Sequence, residues 1–336
     1  MNKKLKVLFI RQTKSSPFVE QDINILKQHY TVRIVDPVIN RRRIWDTVKS
    51  VYSITTGVIW ADLTYSWFAH LAILLTILLS KIFRKHSIVV IGGYEVAKVP
   101  EFNYGAMINK QAAIMVKLML KYATIILAVS EFTKKEILQY TNNQNIRLVY
   151  NGIDFNRFTP GTIKEDIVLI VGPITKAQID IHGLDVFINC ASKLPTTRFI
   201  AIGVSEDALE YLVNSDIPSN VELLGFLPQQ ALIPYYQKAK VYCQLSFRES
   251  FGVSLAEAML CECIPVVTKR GAMPEVVGNT GYYALFQDVD STVQAIKKAK
   301  ISNQGHKARD RVKRLFTVEK REESLINTIE EIVRHR

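Results

Sequence analysis

The chain has 336 residues, of which 48% are hydrophobic and 22% are charged, so it can bury a large core and its length suggests two domains. Its formal net charge of +12 is uneven: residues 1–160 carry 22 basic and 10 acidic side chains, whereas residues 161–336 carry 21 of each. No helix-turn-helix, zinc-finger, RRM or KH signature accompanies this charge, so we expect no nucleic-acid partner. An anionic membrane surface or a phosphate-bearing acceptor fits the basic half better.

The expected location is cytoplasmic, with peripheral contact on the inner membrane face as a further possibility. The LKVLFI run near the N-terminus is too short for a signal peptide. The longest apolar run, Trp67–Phe83, is near the lower length limit for a membrane span and predicts a buried helix instead, which leaves open an interfacial role for its exposed edge. The four cysteines lie in apolar surroundings without zinc-site spacing, which predicts buried, reduced thiols.

Short apolar runs predict six strands in the first half. They are Lys6–Ile10, Tyr30–Val35, Ala61–Ser66, Ser87–Ile91, Thr124–Val129 and Arg147–Tyr150. Helical segments, including Phe18–Lys27 and Met107–Tyr122, separate the strands, so the pattern predicts a parallel α/β sheet. The turn-forming pairs Asn151-Gly152 and Thr159-Pro160 then place a domain boundary near Pro160.

Two basic features of this half suit a membrane surface. Arg41-Arg42-Arg43 precedes Trp45, and the Met107–Tyr122 helix spreads three lysines along an apolar sequence. A solvated loop and an ordinary amphipathic helix remain the alternatives.

The second half begins a new series of alternating elements. The predicted strands are Asp166–Val171, Arg198–Gly203, Val221–Leu224, Lys240–Ser246 and Ile264–Thr268, and the predicted helices include Gly183–Ala191, Leu232–Ala239, Ser291–Lys300 and Val318–Val333.

The stretch Phe247–Val277 carries the most informative chemistry. Its helix should begin near Val253, with Glu249 in the loop before it and Glu257 in its first turns. The backbone N–H groups of Phe251, Gly252 and Val253 then lie at a helix N-terminus, which favours a phosphate. Two carboxylates on either side of those amides match a sugar nucleotide, which has hydroxyls at both ends and a diphosphate between them.

The same residues resemble a known family. Glu249-x7-Glu257, followed by Pro265 and Gly271-Ala-Met-Pro-Glu275, is similar to the signature of GT4-type retaining glycosyltransferases (glycosyl transferases group 1), as are the segments AVSEFTKKEI and VYNGIDFNRFTP. The resemblance implies an α/β fold of the GT-B type, in which two Rossmann-like domains face each other across a cleft. We expect an acceptor-side domain over 1–160, a nucleotide-sugar domain over 161–316, and a C-terminal helix over 317–336 that crosses back to the first domain.

The resemblance also implies a reaction: a sugar moves, with retention, from a nucleotide-diphosphate sugar to a hydroxyl, and the acceptor could be lipid-linked or a cell-surface glycan precursor. Glu249 would bind donor-sugar hydroxyls, Glu257 would bind the ribose, and the Phe251–Val253 amides would stabilise charge on the leaving diphosphate. Glu95 follows the pair Gly92-Gly93 at a strand end and is the candidate in the first half, with an ordinary loop acid as its alternative.

The donor-phosphate positions depart from the family pattern. Pro173 stands where an Arg is common, and His182 stands directly before Gly183 where a Lys is usual. We expect Lys176 to replace the missing cation, and His182 either to hydrogen-bond a phosphate oxygen as a neutral ring or to pair with it when protonated. Gly203, Val204 and Gly225 are the candidates for contact with the base, and loop packing is their alternative.

We expect no cofactor and no metal, because no DxD-like motif with supporting acids is present. Three rival interpretations remain: a sugar-nucleotide epimerase, a non-catalytic sugar-nucleotide-binding scaffold supported by Pro173 and His182, and a nucleic-acid binder supported by charge alone. The sequence leaves open the base, the sugar, the acceptor, the linkage and the oligomeric state.

Overall fold

The computed structural model describes residues 4–12, 16–39, 44–213 and 216–334, so the predicted basic cluster Arg41–Arg43 lies outside the described residues. The strands are β1 Lys6–Ile10, β2 Thr31–Val35, β3 Leu63–Trp67, β4 His86–Ile91, β5 Ile125–Ala128, β6 Ile146–Leu148, β7 Glu165–Ile174, β8 Arg198–Val204, β9 Val221–Leu224, β10 Ala239–Gln244, β11 Ile264–Thr268 and β12 Tyr282–Ala284. The helices are α1 Pro17–His29, α2 Ile44–Trp60, α3 Leu71–Ile82, α4 Lys110–Tyr122, α5 Glu131–Leu138, α6 Ile179–His182, α7 Leu184–Ser192, α8 Glu206–Val213, α9 Gln229–Lys238, α10 Val253–Leu260, α11 Met273–Val277, α12 Val289–Ile301, α13 Gly305–Leu315 and α14 Val318–Arg334.

The chain divides into two compact units. The described residues up to Tyr150 form the first unit together with those from Arg321 onward, and Asn151–Lys320 form the second. The predicted boundary near Pro160 is therefore displaced, because residues 151–160 bond within the second unit. Ile153 N donates to Phe316 O at 2.8 Å, and Arg309 Nη1 donates to Phe158 O at 2.9 Å. The last helix, α14, starts at the end of the second unit and continues into the first.

The sheet of the first unit has six parallel strands in the order β2-β1-β3-β4-β5-β6. Its inner strands are largely apolar because helices cover both faces of such a sheet, and Val7, Leu8 and Phe9 of β1 have no exposed surface. The edge strand β2 differs, with Thr31 and Arg33 exposed. Helices α2, α3 and α4 pack on one face through a shared core. The strand order reverses between β1 and β3.

The sheet of the second unit also has six parallel strands, in the order β12-β11-β10-β7-β8-β9. The strand order reverses between β7 and β10, and this is the place where open parallel sheets bind ligands outside the carboxyl ends of their strands. The loop after β7 leads to α6, and the loop after β10 leads to α10. The fold therefore brings both predicted donor-binding segments to one edge of one sheet.

Several predicted elements are confirmed at both ends, notably Lys6–Ile10 and Ile264–Thr268. The run Trp67–Phe83 forms the end of β3 and the 12-residue α3, and no described helix is long and apolar enough to cross a membrane. The four cysteines are buried and free. Helices α8 and α13 were not predicted; α13, with the sequence GHKARDRVKRL, is mostly charged and buries Ala308 and Val312 on a narrow side.

Candidate functional site

The loop after β10 is held in place by the loop after β11. Ala272 N donates to Glu249 O at 2.8 Å. Gly271 has a φ of +58°, and a Cβ atom there would lie 2.4 Å from Glu249 O and 2.6 Å from Glu249 N. Only a glycine allows this approach. The backbone of Glu249 is consequently fixed at the carboxyl edge of the sheet.

The carboxylate of Glu249 is half-buried at the end of a short polar network. Gln244 Nε2 donates to Glu249 Oε2 at 3.3 Å, and Ser250 N donates to Glu249 Oε1 at 3.3 Å. Burial raises the pKa of Glu249 above its ordinary value, although the Ser250 N–H bond and the nearby charge of Arg248 oppose this. The position of Glu249 is thus fixed by its backbone contacts, and its hydrogen bond and nearby positive charge only partly offset the cost of burying its negative charge.

Helix α10 begins at Val253, as predicted. Gly252 is its N-cap residue, with a φ of 88° and a ψ of 66° in the left-handed region that glycine adopts readily. Glycine offers no side chain to cap the helix, so the first N–H groups depend on other partners. Phe251 is buried against Phe316 in an edge-to-face contact with ring centroids 5.3 Å apart. The helix N-terminus follows directly after Glu249.

Glu257, in the second turn of α10, is almost fully buried, with 2% of its surface exposed. Gln229 Nε2 donates to its Oε1 at 2.5 Å, and the Tyr236 hydroxyl donates to its Oε2 at 3.1 Å. Burial raises the pKa of Glu257 to about 7, against the effects of these two bonds and of the charge on Arg157. The surroundings of this carboxyl therefore favour its protonated form to a higher pH than for an exposed Glu.

Gln229 and Tyr236 are residues that the sequence reasoning missed. Both lie on α9, and together they occupy both oxygens of Glu257. The sequence predicted this helix over Leu232–Ala239, so Gln229 fell outside it, and no sequence signal indicated which side chains point toward α10. A ligand hydroxyl that reaches Glu257 must share these oxygens with Gln229 and Tyr236.

The glycines predicted to face the base lie side by side. Gly203 N donates to Gly225 O at 3.1 Å. Gly203 has a φ of +94°, and a Cβ atom there would lie 2.2 Å from Gly172 O. Val204, the last residue of β8, is buried. The ends of β7, β8 and β9 thus present closely spaced backbone with little side chain, which a flat ligand group can approach.

The two cation candidates have different surroundings. Lys176 is exposed, with its ammonium 4.7 Å from the centre of the Tyr211 ring. His182 Nδ1 lies 3.3 Å from Ser246 Oγ, and burial lowers the pKa of His182 to about 4. This lowered pKa favours a neutral His182 near pH 7, so of its two predicted roles the structure favours hydrogen bonding by the neutral ring.

One chain of polar contacts joins His182 to Glu249. Ser246 Oγ lies beside His182 and also accepts from Gln244 Nε2 at 3.0 Å, and the same Gln244 nitrogen reaches Glu249. The loops after β7 and β10 therefore meet through side chains at the point where the strand order reverses. These contacts do not include Lys176, whose backbone N–H bonds to Asp207 at 3.1 Å.

Glu95 belongs to the first unit and closes its own turn. Its carboxylate accepts from Gly92 N at 3.2 Å and from Gly93 N at 2.7 Å, and the residue is 4% exposed. The Phe68 ring lies where a side chain at Gly92 would be, 2.6 Å from a Cβ atom built there. These bonds give Glu95 a structural role in the turn, and its catalytic role remains a prediction. Among the described residues, no group of three or more His, Cys, Asp or Glu side chains could hold a metal ion.

Residues 165–300 match the family model described as Glycosyl transferases group 1. A D-inositol 3-phosphate glycosyltransferase of Mycobacterium avium (strain 104) is 28% identical over 183 residues, which are 47% of this chain and 42% of that protein. The O-antigen chain mannosyltransferase B of Escherichia coli is 26% identical over 192 residues, 50% of this chain and 49% of its own length. The matched segment thus spans about half or less of these curated relatives.

Solved structures match over a larger part of the chain. Anabaena HepE in complex with UDP and glucose has a TM-score of 0.78 at 17% identity, with 97% of this chain and 100% of that chain covered. A sucrose-phosphate synthase from Thermosynechococcus elongatus has a TM-score of 0.80 at 15% identity, with 99% and 100% covered. At these identities the likeness shows the fold, and the predicted GT-B class is confirmed.

Proposed function

We propose that this chain, whose residues 165–300 match the model of group 1 glycosyltransferases, is a glycosyltransferase that transfers a sugar from a nucleotide-diphosphate sugar to a hydroxyl acceptor. The main support is the α10 junction, where half-buried Glu249 precedes the helix N-terminus and buried Glu257 follows it. Both carboxyls have raised pKa values, as expected of acids held for a ligand rather than for solvent.

Each part of the junction has a role in the proposal. Glu257 binds the ribose hydroxyls, Glu249 binds hydroxyls of the donor sugar, and the N–H groups of residues 251–253 stabilise the negative charge that develops on the leaving diphosphate. The bond between the anomeric carbon and the diphosphate oxygen breaks as the acceptor oxygen bonds to that carbon. The acceptor proton passes to the leaving phosphate.

Retention at the anomeric carbon is the stereochemical part of the proposal, and its support is the family signature around Glu249. An NMR spectrum of the first-formed product distinguishes the two outcomes, because retention leaves the donor's anomeric configuration in the new linkage. A product of the opposite configuration contradicts it. Metal independence is likewise proposed, and we expect an unchanged rate after EDTA treatment.

The donor is identified by thermal shift. We expect one family among the UDP-, GDP-, ADP- and TDP-sugars to raise the melting temperature of the wild type by mass action, and Glu257→Ala to lose the shift. The matched control is Glu210→Ala, which removes an exposed acid from α8 of the same unit and should keep the shift. No stabilisation by any of the four families contradicts the proposal.

A non-catalytic sugar-nucleotide-binding scaffold is the second candidate. It is favoured by Pro173 and by the neutral His182 at positions where the family usually has cations. A transfer assay with Glu249→Gln separates the two. An enzyme should lose turnover by about a hundredfold or more, since Glu249 contacts the reacting sugar, while nucleotide binding changes only a few-fold. Nucleotide binding without turnover in the wild type would favour the scaffold.

The acceptor is proposed to be lipid-linked or phosphate-bearing, and the chain to contact an anionic membrane peripherally. The support is the charge of the first half, which carries 22 basic and 10 acidic residues over 1–160. Transfer to detergent-dispersed lipid extracts, compared with transfer to soluble glycans, tests the acceptor class. Incorporation only into soluble glycans would contradict the lipid-linked part.

A further inference from the structure

Exposed apolar side chains are concentrated in the first unit. Among the described residues, 20 large hydrophobic side chains are exposed, and 14 of them precede residue 151. Ten of these 14 lie on the helices α2, α3 and α4. Scattered exposed hydrophobics are ordinary, but a contiguous group of this kind indicates an interaction surface.

The three helices are neighbours on one face of the sheet. Helix α3 packs between α2 and α4, and the three share one buried core. The ends of α3 and α4 also meet directly, because the Lys81 ammonium lies 4.4 Å from the centre of the Tyr122 ring. The outward sides of the three helices therefore form one continuous surface.

Each helix carries a second apolar stripe on that outward side. On α3 the stripe consists of Leu71, Leu75, Leu78 and Ile82, at spacings of three and four residues. Its two end residues are 52% and 71% exposed, whereas Leu75 and Leu78 are partly buried against the core. The opposite side of α3 is already buried in the core. The two end residues of the stripe thus leave apolar surface exposed on a helix whose inner side is already buried.

Helix α2 continues the stripe with the largest exposed side chains. Trp45 is 78% exposed, Tyr52 is 70% exposed and Ile59 is 52% exposed. On α4 the exposed residues are Ile114 and Leu118, one turn apart. Trp and Tyr are the side chains that favour the boundary between lipid and water, since their rings combine an apolar body with a polar group.

The charges on these helices are almost all positive. Helices α2, α3 and α4 contain five basic side chains (Lys49, Lys81, Lys110, Lys117 and Lys121) and one acidic side chain, Asp46, and two more basic residues, Arg84 and Lys85, follow shortly after α3. The apolar stripes are thus bordered by cations, which attract anionic headgroups. A groove of about 920 Å³ beside α4, lined in part by Lys117, Lys121 and Leu118, extends this basic and apolar character toward α5.

We propose that the outward faces of α2, α3 and α4 form a docking surface for an anionic phospholipid bilayer. The apolar stripes enter the headgroup region and the lysines contact the lipid phosphates. The proposal specifies the residues of the membrane contact suggested above, and it rests on that contact but not on the transfer reaction. The surface lies on the bilayer, since no described helix is long enough to cross one.

The test is sedimentation of the full chain with vesicles of pure phosphatidylcholine and with vesicles that contain phosphatidylglycerol. We expect the wild type to bind the anionic vesicles and to dissociate as salt is added. Lys117→Gln with Lys121→Gln should weaken binding about 25-fold, because each cation near an anionic surface contributes about fivefold. Trp45→Ser with Ile82→Ser should weaken it about tenfold or more.

The controls come from the second unit, where equally exposed residues occupy similar positions. Ile301 ends α12 as Ile82 ends α3 and is 83% exposed, so Ile301→Ser should bind as the wild type does. Lys297→Gln with Lys298→Gln is the control for the two lysines. A melting temperature unchanged from the wild type in every variant shows that the fold is intact.

Other occupants of the surface give different results. Equal binding to neutral and anionic vesicles, or no binding to either, overturns the proposal. A dimer in analytical ultracentrifugation that Trp45→Ser with Ile82→Ser dissociates would show that a second copy covers the surface, which also overturns it. A failed donor panel with intact vesicle binding would instead contradict the transfer function alone.

Discussion

Glu257 occupies a position where its own charge is costly. Burial raises its pKa from 4.5 to about 7, so the folded protein binds a proton here more tightly than the unfolded chain does. Between these two values the folded state holds more protons, and stability falls as pH rises. A carboxylate kept at such a cost is more consistent with ligand binding than with a contribution to stability.

This gives a prediction for Glu257→Gln, which removes the titration and keeps the size of the side chain. Relative to wild type, the variant should gain stability between pH 5 and pH 8, by up to about 3 kcal/mol for a shift of about 2.5 units. Urea unfolding at the two pH values measures the gain, since all other titrating groups are common to both proteins. A stability difference that is independent of pH would contradict it.

His182 permits a test of the altered phosphate position. It is neutral near pH 7 and lies beside Ser246, in the loop that also carries Glu249. If the donor diphosphate lies there, His182→Lys adds the cation that the family usually has and should raise nucleoside-diphosphate affinity about three- to tenfold. Affinity for the corresponding nucleoside, which lacks phosphates, should not change.

The control for this variant is His306→Lys, which introduces the same side chain at an exposed histidine on α13. Isothermal titration with the diphosphate and with the nucleoside provides both measurements. An equal gain in the two lysine variants would reflect net charge alone. A loss of diphosphate affinity specific to His182→Lys would place the diphosphate elsewhere.

At the scale of elements, the glycines at the strand ends should differ in how well they tolerate substitution by alanine. Gly203 has a φ of +94° and faces Gly172 O, whereas a Cβ atom on Gly172 would meet nothing within 4 Å. Gly203→Ala should therefore cost about 2 to 4 kcal/mol, and Gly172→Ala should stay within about 0.5 kcal/mol. Chemical unfolding of the two variants compares them. Equal costs would contradict the close approach of β7 and β8.

The same elements show how far the sequence was informative. Strands such as β11 are uninterrupted apolar runs bounded by polar residues, so both ends could be predicted. The cap of α5 is equally local, since the Ser130 side chain accepts from Thr133 N at 3.0 Å. Helix α13 was missed because its apolar side is narrow. Gln229 and Tyr236 could not be predicted, because their contacts with Glu257 depend on how α9 is rotated against α10.

At the scale of the whole molecule, the least predictable contact joins residues 299 positions apart. Asp22 on α1 and Arg321 on α14 are fully buried and bonded at 2.6 and 2.7 Å. The Tyr65 hydroxyl and Trp67 Nε1 also donate to Asp22, at 2.6 and 2.7 Å. No periodicity or local motif connects such distant positions. The domain boundary was misplaced for a related reason, because Ile153 and Phe158 bond to partners more than a hundred positions away.

Arg321 also holds the end of the first unit's N-terminal segment, which finishes at Tyr150. Its Nη1 donates to Val149 O at 3.1 Å and to Tyr150 O at 2.8 Å, and Tyr150 is the last residue before the chain enters the second unit. A single guanidinium therefore satisfies two backbone carbonyls and the Asp22 carboxylate. The C-terminal segment belongs to the first unit largely through this residue and the apolar face of α14.

The structure thus predicts a large difference between two arginines of the same helix. Arg321→Met leaves Asp22 as a buried charge without its cation and should destabilise the first unit by about 3 to 5 kcal/mol. Arg334→Met removes an exposed pair with Glu330, whose side chains are 77% and 49% exposed, and should cost less than about 1 kcal/mol. Calorimetry, in which the two units can unfold separately, measures both variants. Adding Asp22→Asn to Arg321→Met should restore part of the lost stability, because the uncompensated charge is then gone. If the double variant instead loses as much further stability as Asp22→Asn alone loses, the two residues act independently.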